Sequence, residues 1–235
     1  MLNISMLMEE RTFYTVYQPL IVSENGEIFA YEALLRTTPF INPKIIFNYG
    51  RDEGNLFKYD SAAISNAIKE FPYSYFEKYI LFLNVYPSSI VHPNFKDFIQ
   101  NLLHNYPKIK NRIVFELNED SGEKHFWKEE IFSECIQWLK YMGFKIAFDD
   151  VTFDHFSLDF IESYKPDFLK LDRSYSKNLS ALSEKQIFIE YFIYKLKRNI
   201  YVVLEGIETK KDFQIAKEIG VPYLQGYYIS KPHRI

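Results

Sequence analysis

Cysteine is nearly absent from the chain: Cys135 is the single cysteine among 235 residues. A disulfide framework within the chain and a cysteine-based zinc cluster are therefore excluded. Cys135 lies in an apolar helical pattern, so we expect a small buried side chain there. Glycine is also scarce, with 8 residues, which argues against a fold built from many glycine turns.

An excess of positive charge is also lacking. The formal net charge is -3 at pH 7, and the isoelectric point is about 6.0. Domains that bind duplex nucleic acid usually carry a basic excess, so we expect no such partner. No apolar run approaches the roughly 18 residues of a membrane span. The first residues have no basic start of the kind that begins a signal peptide, and we expect a cytoplasmic protein with no membrane segment.

Several common catalytic motifs are missing as well. The chain contains neither a glycine-rich dinucleotide fingerprint nor a P-loop, and its histidines form no His-x-x-x-His pair. Dinucleotide-binding enzymes, P-loop enzymes and zinc hydrolases of that type are therefore disfavoured. Hydrophobic residues, in contrast, make up 47% of the chain and aromatic residues 18%. This composition supports a dense core, and we expect a single domain over residues 1–235.

Strand-like and helix-like segments alternate along the chain. The turn at Asn25 and Gly26 separates two strand candidates, residues 12–22 and 27–35, and Asn-Gly predicts an antiparallel hairpin. The segments after it predict a parallel sheet with crossover helices. Six further strands are predicted at 79–85, 112–117, 144–148, 167–171, 201–204 and 222–224. Helices are predicted at 61–69, 95–103, 129–142, 156–164, 184–198 and 209–219.

The number of strands indicates the architecture. Eight strands in a chain of this length predict an α/β fold, a (β/α)8 TIM-like barrel whose first strand is antiparallel. A doubly wound open sheet is the alternative. Polar residues embedded in apolar segments mark the carboxyl ends of the strands, where barrel enzymes place their chemistry. They are Glu32, Asn84, Glu116, Asp149, Asp150, Lys170, Glu205 and Gln225.

These residue types suit one kind of chemistry. A ring of carboxylates with an amide is an oxygen-rich site for one or two hard divalent cations. Two adjacent cations can clamp the attacking and leaving oxygens of a phosphoryl transfer, and Asp149 with Asp150 offers a bridging carboxylate and its neighbour. Each residue alone has an ordinary structural role as its alternative. The Asp pair can cap a turn, Glu32 can pair with Arg36, and Lys170 can point outward.

In order and spacing, these motifs resemble those of the EAL-domain family, bacterial phosphodiesterases that open cyclic-di-GMP. The likeness runs from Tyr-Gln-Pro at 17–19 to Gln-Gly-Tyr-Tyr-Ile-Ser-Lys-Pro at 225–232. It includes the tripeptide Glu-Ala-Leu at 32–34, followed by Leu35 and Arg36. The family fold is a barrel with one reversed strand, which agrees with the predicted hairpin.

The resemblance implies a function and its cofactors. The reaction would be hydrolysis of cyclic-di-GMP to linear 5′-pGpG with Mg²⁺ or Mn²⁺, two ions per site, in a protein that forms a homodimer. One ion would be held by Glu32, Asn84, Glu116 and Asp149. The second would be held by Asp149, Asp150 and Glu205.

The resemblance also implies further roles. Glu205, Lys170 and Asp150 would be the catalytic residues, with Lys170 holding the nucleophilic water and the phosphate, and Glu205 serving as a general base. Substrate would be held by Leu35, Arg36 and Gln225. The loop after the Asp pair would be supported by Glu119 and Glu208.

That loop departs from the family pattern. The family usually has Phe-Gly-Thr-Gly-Tyr-Ser-Ser, whereas residues 151–157 read Val-Thr-Phe-Asp-His-Phe-Ser. Thr152 and Asp154 replace two glycines, whose backbone freedom other residues lack. We expect a different loop path, with polar contacts from Asp154 or His155. The complete ligand set favours an active phosphodiesterase, and the altered loop favours a catalytically silent cyclic-di-GMP receptor or a protein-interaction domain of the same fold.

Overall fold

The computed structural model describes residues 13–118, 123–152, 157–196 and 200–235. Eight strands in this part of the chain close into a barrel in chain order. The strands are β1 Phe13–Val22, β2 Ile28–Thr37, β3 Ile80–Asn84, β4 Ile113–Asn118, β5 Lys145–Val151, β6 Phe168–Leu171, β7 Tyr201–Leu204 and β8 Tyr223–Leu224.

Strand β1 is antiparallel to both of its neighbours, β2 and β8, and every other neighbouring pair is parallel. The predicted barrel with a reversed first strand is therefore confirmed, and the open sheet is wrong. The hairpin turn forms where Asn25 and Gly26 predict it. Gly26 has a φ of 75°, in the left-handed region that glycine adopts readily.

Helices occupy most of the connections after β2. Their bounds are α1 Pro43–Asp52, α2 Leu56–Glu70, α3 Pro87–Ile90, α4 Phe95–Asn105, α5 Glu130–Tyr141, α6 Leu158–Tyr164, α7 Arg173–Ser176, α8 Ser183–Lys195 and α9 Lys210–Glu218. None of the helices in the described segments is long and apolar enough to cross a membrane.

The observed helices differ from the predicted ones at α1, at α2 and at the four-residue helices α3 and α7, which are absent from the prediction. Helix α1 is absent from the prediction, although Asn42 caps it by accepting a hydrogen bond from Lys44 N, and Pro43 occupies its first turn. Both residues are ordinary start signals of a helix. Helix α2 begins at Leu56 rather than at residue 61, because Leu56 and Tyr59 continue its buried face toward the N-terminus.

Side chains alternate between the two faces of each strand, so the apolar core has two parts. One face of the strands packs with the helices in the larger cluster of buried apolar residues. The other face fills the barrel interior with a smaller cluster, which we call the apolar layer. Its members are Leu20, Ala30, Ile80, Phe82, Val114, Ala147, Phe168 and Val203.

Candidate metal and substrate site

A layer of polar side chains lies directly above the apolar layer. Side chains two residues apart face the same side of a strand, so Phe82 is followed on the interior face by Asn84, and Val114 by Glu116. The same two-residue spacing relates the apolar and polar layers on the other strands. On β1, which runs in the opposite direction, it is counted toward the N-terminus, from Leu20 to Gln18. We call the result the polar layer: Gln18, Glu32, Asn84, Glu116, Asp149, Lys170, Glu205 and Gln225.

Lys170 lies at the centre of this layer. Its Nζ is 2.6 Å from Glu116 Oε1 and 2.6 Å from Glu205 Oε1, 3.0 Å from Asp149 Oδ1 and 3.4 Å from Glu32 Oε2. The residue is only 1% exposed, so the alternative that Lys170 points outward is wrong. Burial alone would lower the pKa of Lys170, but the four carboxylates together raise it well above its usual value.

Negative charge exceeds positive charge around Lys170. Burial is the largest cause that raises the pKa of Glu116 and of Glu205 well above the usual range, and neighbouring carboxylates add to it. A divalent cation would offset this repulsion. Asp149, Asp150 and Glu205 each offer an oxygen within 4.8 Å of the others. Carboxylate oxygens are ligands of hard cations, so the donor set fits a metal ion.

Two amide side chains brace the carboxylates. Asn84 Nδ2 donates to Glu116 Oε2 at 3.1 Å and lies 3.5 Å from Glu32 Oε1. Gln225 Nε2 donates to Glu32 Oε2 at 2.6 Å and lies 3.3 Å from Gln18 Oε1. A half-turn of the Asn84 amide would present its oxygen in place of its NH₂ group, and an oxygen is the ligand that a metal requires.

Glu32 differs from its predicted surroundings in two respects. It lies in the middle of β2 rather than at its end, but the pairing of β2 with β3 stops one residue later, at Ala33 and Leu83. Glu32 therefore stands near the carboxyl end of the part of β2 that belongs to the barrel. The alternative that it pairs with Arg36 is wrong, since Arg36 Nη1 donates to Leu35 O at 2.7 Å and Glu32 contacts the polar layer.

Asp150, the second residue of the Asp pair, lies at an irregular end of β5. The register between β5 and β6 shifts between Phe148 and Val151, and Asp150 has a φ of 50°. A left-handed backbone is uncommon for a residue other than glycine, and such irregularities redirect side chains. The irregularity brings the Asp150 carboxylate beside Asp149 and Glu205, instead of on the opposite face of the strand.

Cavities open on both sides of the polar layer, and Glu32, Asp149 and Asp150 border both. The first cavity has a volume of about 550 Å³. It is bordered by the predicted substrate residues Leu35 and Arg36 and by three residues of α1, Pro43, Lys44 and Phe47.

The second cavity has a volume of about 310 Å³ and is bordered by Arg173, Glu208, Gln225 and Tyr227. Gln225 is buried, bonds to Glu32 and borders the second cavity, whereas Leu35 and Arg36 border the first. Glu208 is exposed at the mouth of this cavity. Of the other predicted loop residues, Glu119, Asp154 and His155 lie outside the described residues.

Several residues of the site escape sequence reasoning. Gln18 could have been found by counting two residues back from Leu20 on a reversed strand. Lys44 and Phe47 depend on the unpredicted helix α1. Asp60 carries no motif, but it is 2% exposed and accepts a hydrogen bond from Tyr86 N at 2.9 Å.

Fold and site together define the class: an eight-stranded α/β barrel with a carboxylate-rich site that suits a divalent cation. The model of the EAL domain family matches residues 2–232. The chain therefore belongs to the EAL domain family, as its motifs predict. That the chain is a single domain over residues 1–235 stays a prediction.

The chain is also similar to named proteins. PdeN of Escherichia coli K12, described as a probable cyclic di-GMP phosphodiesterase, is 27% identical over 238 residues, which are 96% of this chain and 44% of PdeN. PdeA of Borreliella burgdorferi, described as a cyclic di-GMP phosphodiesterase, is 29% identical over 181 residues, 75% of this chain and 26% of PdeA. The chain thus spans less than half the length of either relative.

A solved structure agrees with the fold. The chain matches the structure titled PaMucR phosphodiesterase, c-di-GMP complex, with a TM-score of 0.85 at 21% identity, covering 98% of this chain and 95% of that one. At this level of identity the likeness concerns the fold alone.

Proposed function

We propose that this chain is a metal-dependent phosphodiesterase that hydrolyses cyclic-di-GMP to linear 5′-pGpG. One observation carries the proposal: four carboxylates, three on strands and one directly after β7, surround the buried ammonium of Lys170 between two cavities. They belong to Glu32, Glu116, Asp149 and Glu205. The descriptions of PdeN and PdeA as phosphodiesterases of this nucleotide support it.

Two ions, Mg²⁺ or Mn²⁺, would lie among the oxygens of the polar layer. When bound, such ions polarise phosphate oxygens and lower the pKa of water. The ligands of one ion would be Glu32, Asn84, Glu116 and Asp149. Those of the other would be Asp149, Asp150 and Glu205.

The side chains around the phosphate would have separate tasks. Lys170 stays charged because the carboxylates raise its pKa, so it would hold the phosphate and stabilise negative charge as it develops. Glu205, whose pKa is raised by burial, would accept a proton from the attacking water as a general base. Asp150, beside Glu205, would help to orient that water.

The product fixes which bond breaks. The oxygen of water bonds to phosphorus and the bond from phosphorus to the 3′ oxygen breaks, so the phosphate stays on the 5′ side and the 3′ oxygen leaves as a hydroxyl. Leu35 and Arg36 border the first cavity and would hold one half of the nucleotide there. Glu208, with Glu119, would support the loop that follows the Asp pair.

A single assay tests the function. Purified protein is incubated with cyclic-di-GMP and Mg²⁺ or Mn²⁺, and the products are separated by chromatography. We expect pGpG, its loss on addition of a chelator and its return with excess metal. Hydrolysis that persists in the chelated protein would contradict the proposal.

The altered loop favours a second candidate, a catalytically silent receptor for the same nucleotide. A variant with the family loop, Thr152→Gly with Phe153→Thr and Asp154→Gly, separates the two. Equal or higher turnover in this variant agrees with a competent site limited by its loop. Absence of pGpG in both proteins, with cyclic-di-GMP still bound, supports the receptor. Loss of binding in both supports a protein-interaction domain.

Two features of the whole protein remain predictions: a homodimer and a cytoplasmic location. Light scattering of the purified chain tests the first. Fractionation of the cells tests the second.

A further inference from the structure

A buried carboxylate outside the polar layer joins three separate pieces of the chain. Glu123, in the connection between β4 and α5, is 2% exposed. Its Oε1 accepts a hydrogen bond from Arg51 Nε of α1 at 3.1 Å. The same oxygen accepts from Ser88 Oγ at 3.1 Å, and Oε2 accepts from Ser88 N at 2.8 Å, both in the first turn of α3.

Two of the joined segments lie at the first cavity. Helix α1 provides Pro43, Lys44 and Phe47 to one side of the cavity. Helix α3 begins three residues after Asn84, and Tyr86 in the intervening segment also borders the cavity. Arg51 thus connects a side of the cavity to the segment that leaves the polar layer.

Packing reinforces this connection. The Arg51 guanidinium lies 5.0 Å from the centre of the Tyr86 ring, a cation–π contact. The Tyr86 ring lies 5.4 Å from the ring of Phe47. On its other side, α1 packs through its buried residues Ile46 and Gly50 against α2 and β1.

Glu123 is buried, whereas the Arg51 side chain is 27% exposed. Removing Arg51 would leave the Glu123 carboxylate buried without its ion-pair partner, which is unfavourable. Helix α1 also packs against α2, where the Tyr59 ring lies against Gly50. That packing holds one side of the helix, whereas the contact between Arg51 and Glu123 ties the helix to the segment after β3.

We propose that Arg51 and Glu123 are positioning residues: they hold α1 against the segment after β3, and so keep the first cavity shaped for one half of a cyclic dinucleotide. The inference rests on the proposed function. Neither residue contacts a carboxylate of the polar layer among the contacts described above, so the pair acts on substrate affinity and leaves the cleavage step unchanged.

The test compares three variants with the wild-type protein. Arg51→Met keeps the apolar stem and removes the charge, and Arg51→Lys keeps the charge but loses the planar fork of donors. Lys108→Met is the matched control, because it removes an exposed ion pair, with Glu77, at 2.5 Å. Dissociation constants and steady-state rates are measured for cyclic-di-GMP, and hydrogen–deuterium exchange is followed over residues 43–52.

We expect the dissociation constant and KM of Arg51→Met to rise about tenfold, as they do when about a tenth of the molecules have the competent cavity. Its kcat should stay within about twofold, exchange over residues 43–52 should become faster, and Arg51→Lys should be intermediate. Lys108→Met should match the wild type. If Arg51→Met fails to fold, Arg51→Lys should show the same increases in the dissociation constant, in KM and in exchange over residues 43–52, but smaller ones.

Unchanged affinity with unchanged exchange over 43–52 would overturn the inference, and so would a fall in kcat at constant KM. Wild-type protein that neither binds nor cleaves cyclic-di-GMP would instead refute the proposed function. In that case the exchange measurement alone decides the positioning role, and equal exchange in Arg51→Met and wild type overturns it.

Discussion

Two layers inside one barrel face opposite physical demands. The apolar layer gains free energy from burial, whereas the polar layer brings carboxylates and an ammonium into the same interior, where burial of charge is unfavourable. Yet the two layers belong to the same strands and lie two residues apart, as Phe168 and Lys170 do on β6. The apolar layer and the helices therefore specify the barrel, and the polar layer is tolerated because Lys170 pairs with its carboxylates.

The largest effect should follow from removing a carboxylate of the polar layer. Asp149→Ala deletes a ligand shared by both proposed metal sites, so turnover should fall about a thousandfold or more, each tenfold being about 1.4 kcal/mol of barrier. Turnover is measured from pGpG formation at saturating Mn²⁺. Glu27→Ala, an exposed carboxylate after the hairpin turn, is the control and should match the wild type. An Asp149→Ala protein with normal turnover would remove the polar layer from the mechanism.

A substitution in the apolar layer should act on stability instead. Phe82 is fully buried, and its ring lies 5.1 Å from that of Phe168. Phe82→Ala leaves a cavity and should lower the free energy of unfolding by about 3–5 kcal/mol. Urea unfolding measures this value. A loss below about 1 kcal/mol would show that the apolar layer contributes little to the stability of the barrel.

Replacing Lys170, the ammonium of the polar layer, should lower turnover far more than it weakens substrate binding. Lys170→Met keeps most of the buried stem and removes the charge that would stabilise the developing phosphate charge. We expect kcat to fall about a hundredfold, with the dissociation constant of cyclic-di-GMP changed only a few-fold. Collapse of binding with normal turnover of each bound complex would make Lys170 a binding contact only.

The smallest effect concerns Asp60, a carboxylate buried beside the first cavity. Burial raises the pKa of Asp60 to about 7; the hydrogen bond from Tyr86 N and the charge of Arg51 oppose this, and the charge of Glu123 adds to it. The folded protein therefore binds a proton that the unfolded chain has released between about pH 4 and pH 7. The contribution of Asp60 to the free energy of unfolding is fully present below about pH 4 and is lost as the pH rises to about 7.

Asp60→Asn removes this dependence. Relative to the wild type, the free energy of unfolding of the variant should increase between pH 4.5 and pH 8 by on the order of 2 kcal/mol. Urea unfolding at the two pH values measures the difference. Parallel stability curves for the two proteins would mean that Asp60 titrates normally.

The sequence predicts the apolar layer and most of the polar layer because both follow from short-range patterns. Apolar runs indicate β3 to β7, and the polar residue that ends each run belongs to the site. The bracing contacts are harder to predict. Arg51 meets Glu123 across 72 residues of chain, and no local pattern links them.

Local irregularities also escape prediction. The register shift after Phe148 presents Asp150 beside Asp149, but an Asp-Asp pair by itself does not indicate a left-handed backbone. Helix α1 differs in this respect: its apolar residues recur at helical spacing, and Asn42 and Pro43 mark its start. Local patterns are therefore sufficient to indicate this helix.

Titration of Mn²⁺ into the metal-free protein by calorimetry tests whether the polar layer is a metal site. Wild-type protein should bind two ions per chain, and Asp149→Ala, which removes the shared ligand, should lose at least one of them, while Glu27→Ala binds two. Absence of binding to wild-type protein at millimolar Mn²⁺, or identical titrations for wild type and Asp149→Ala, would contradict the claim.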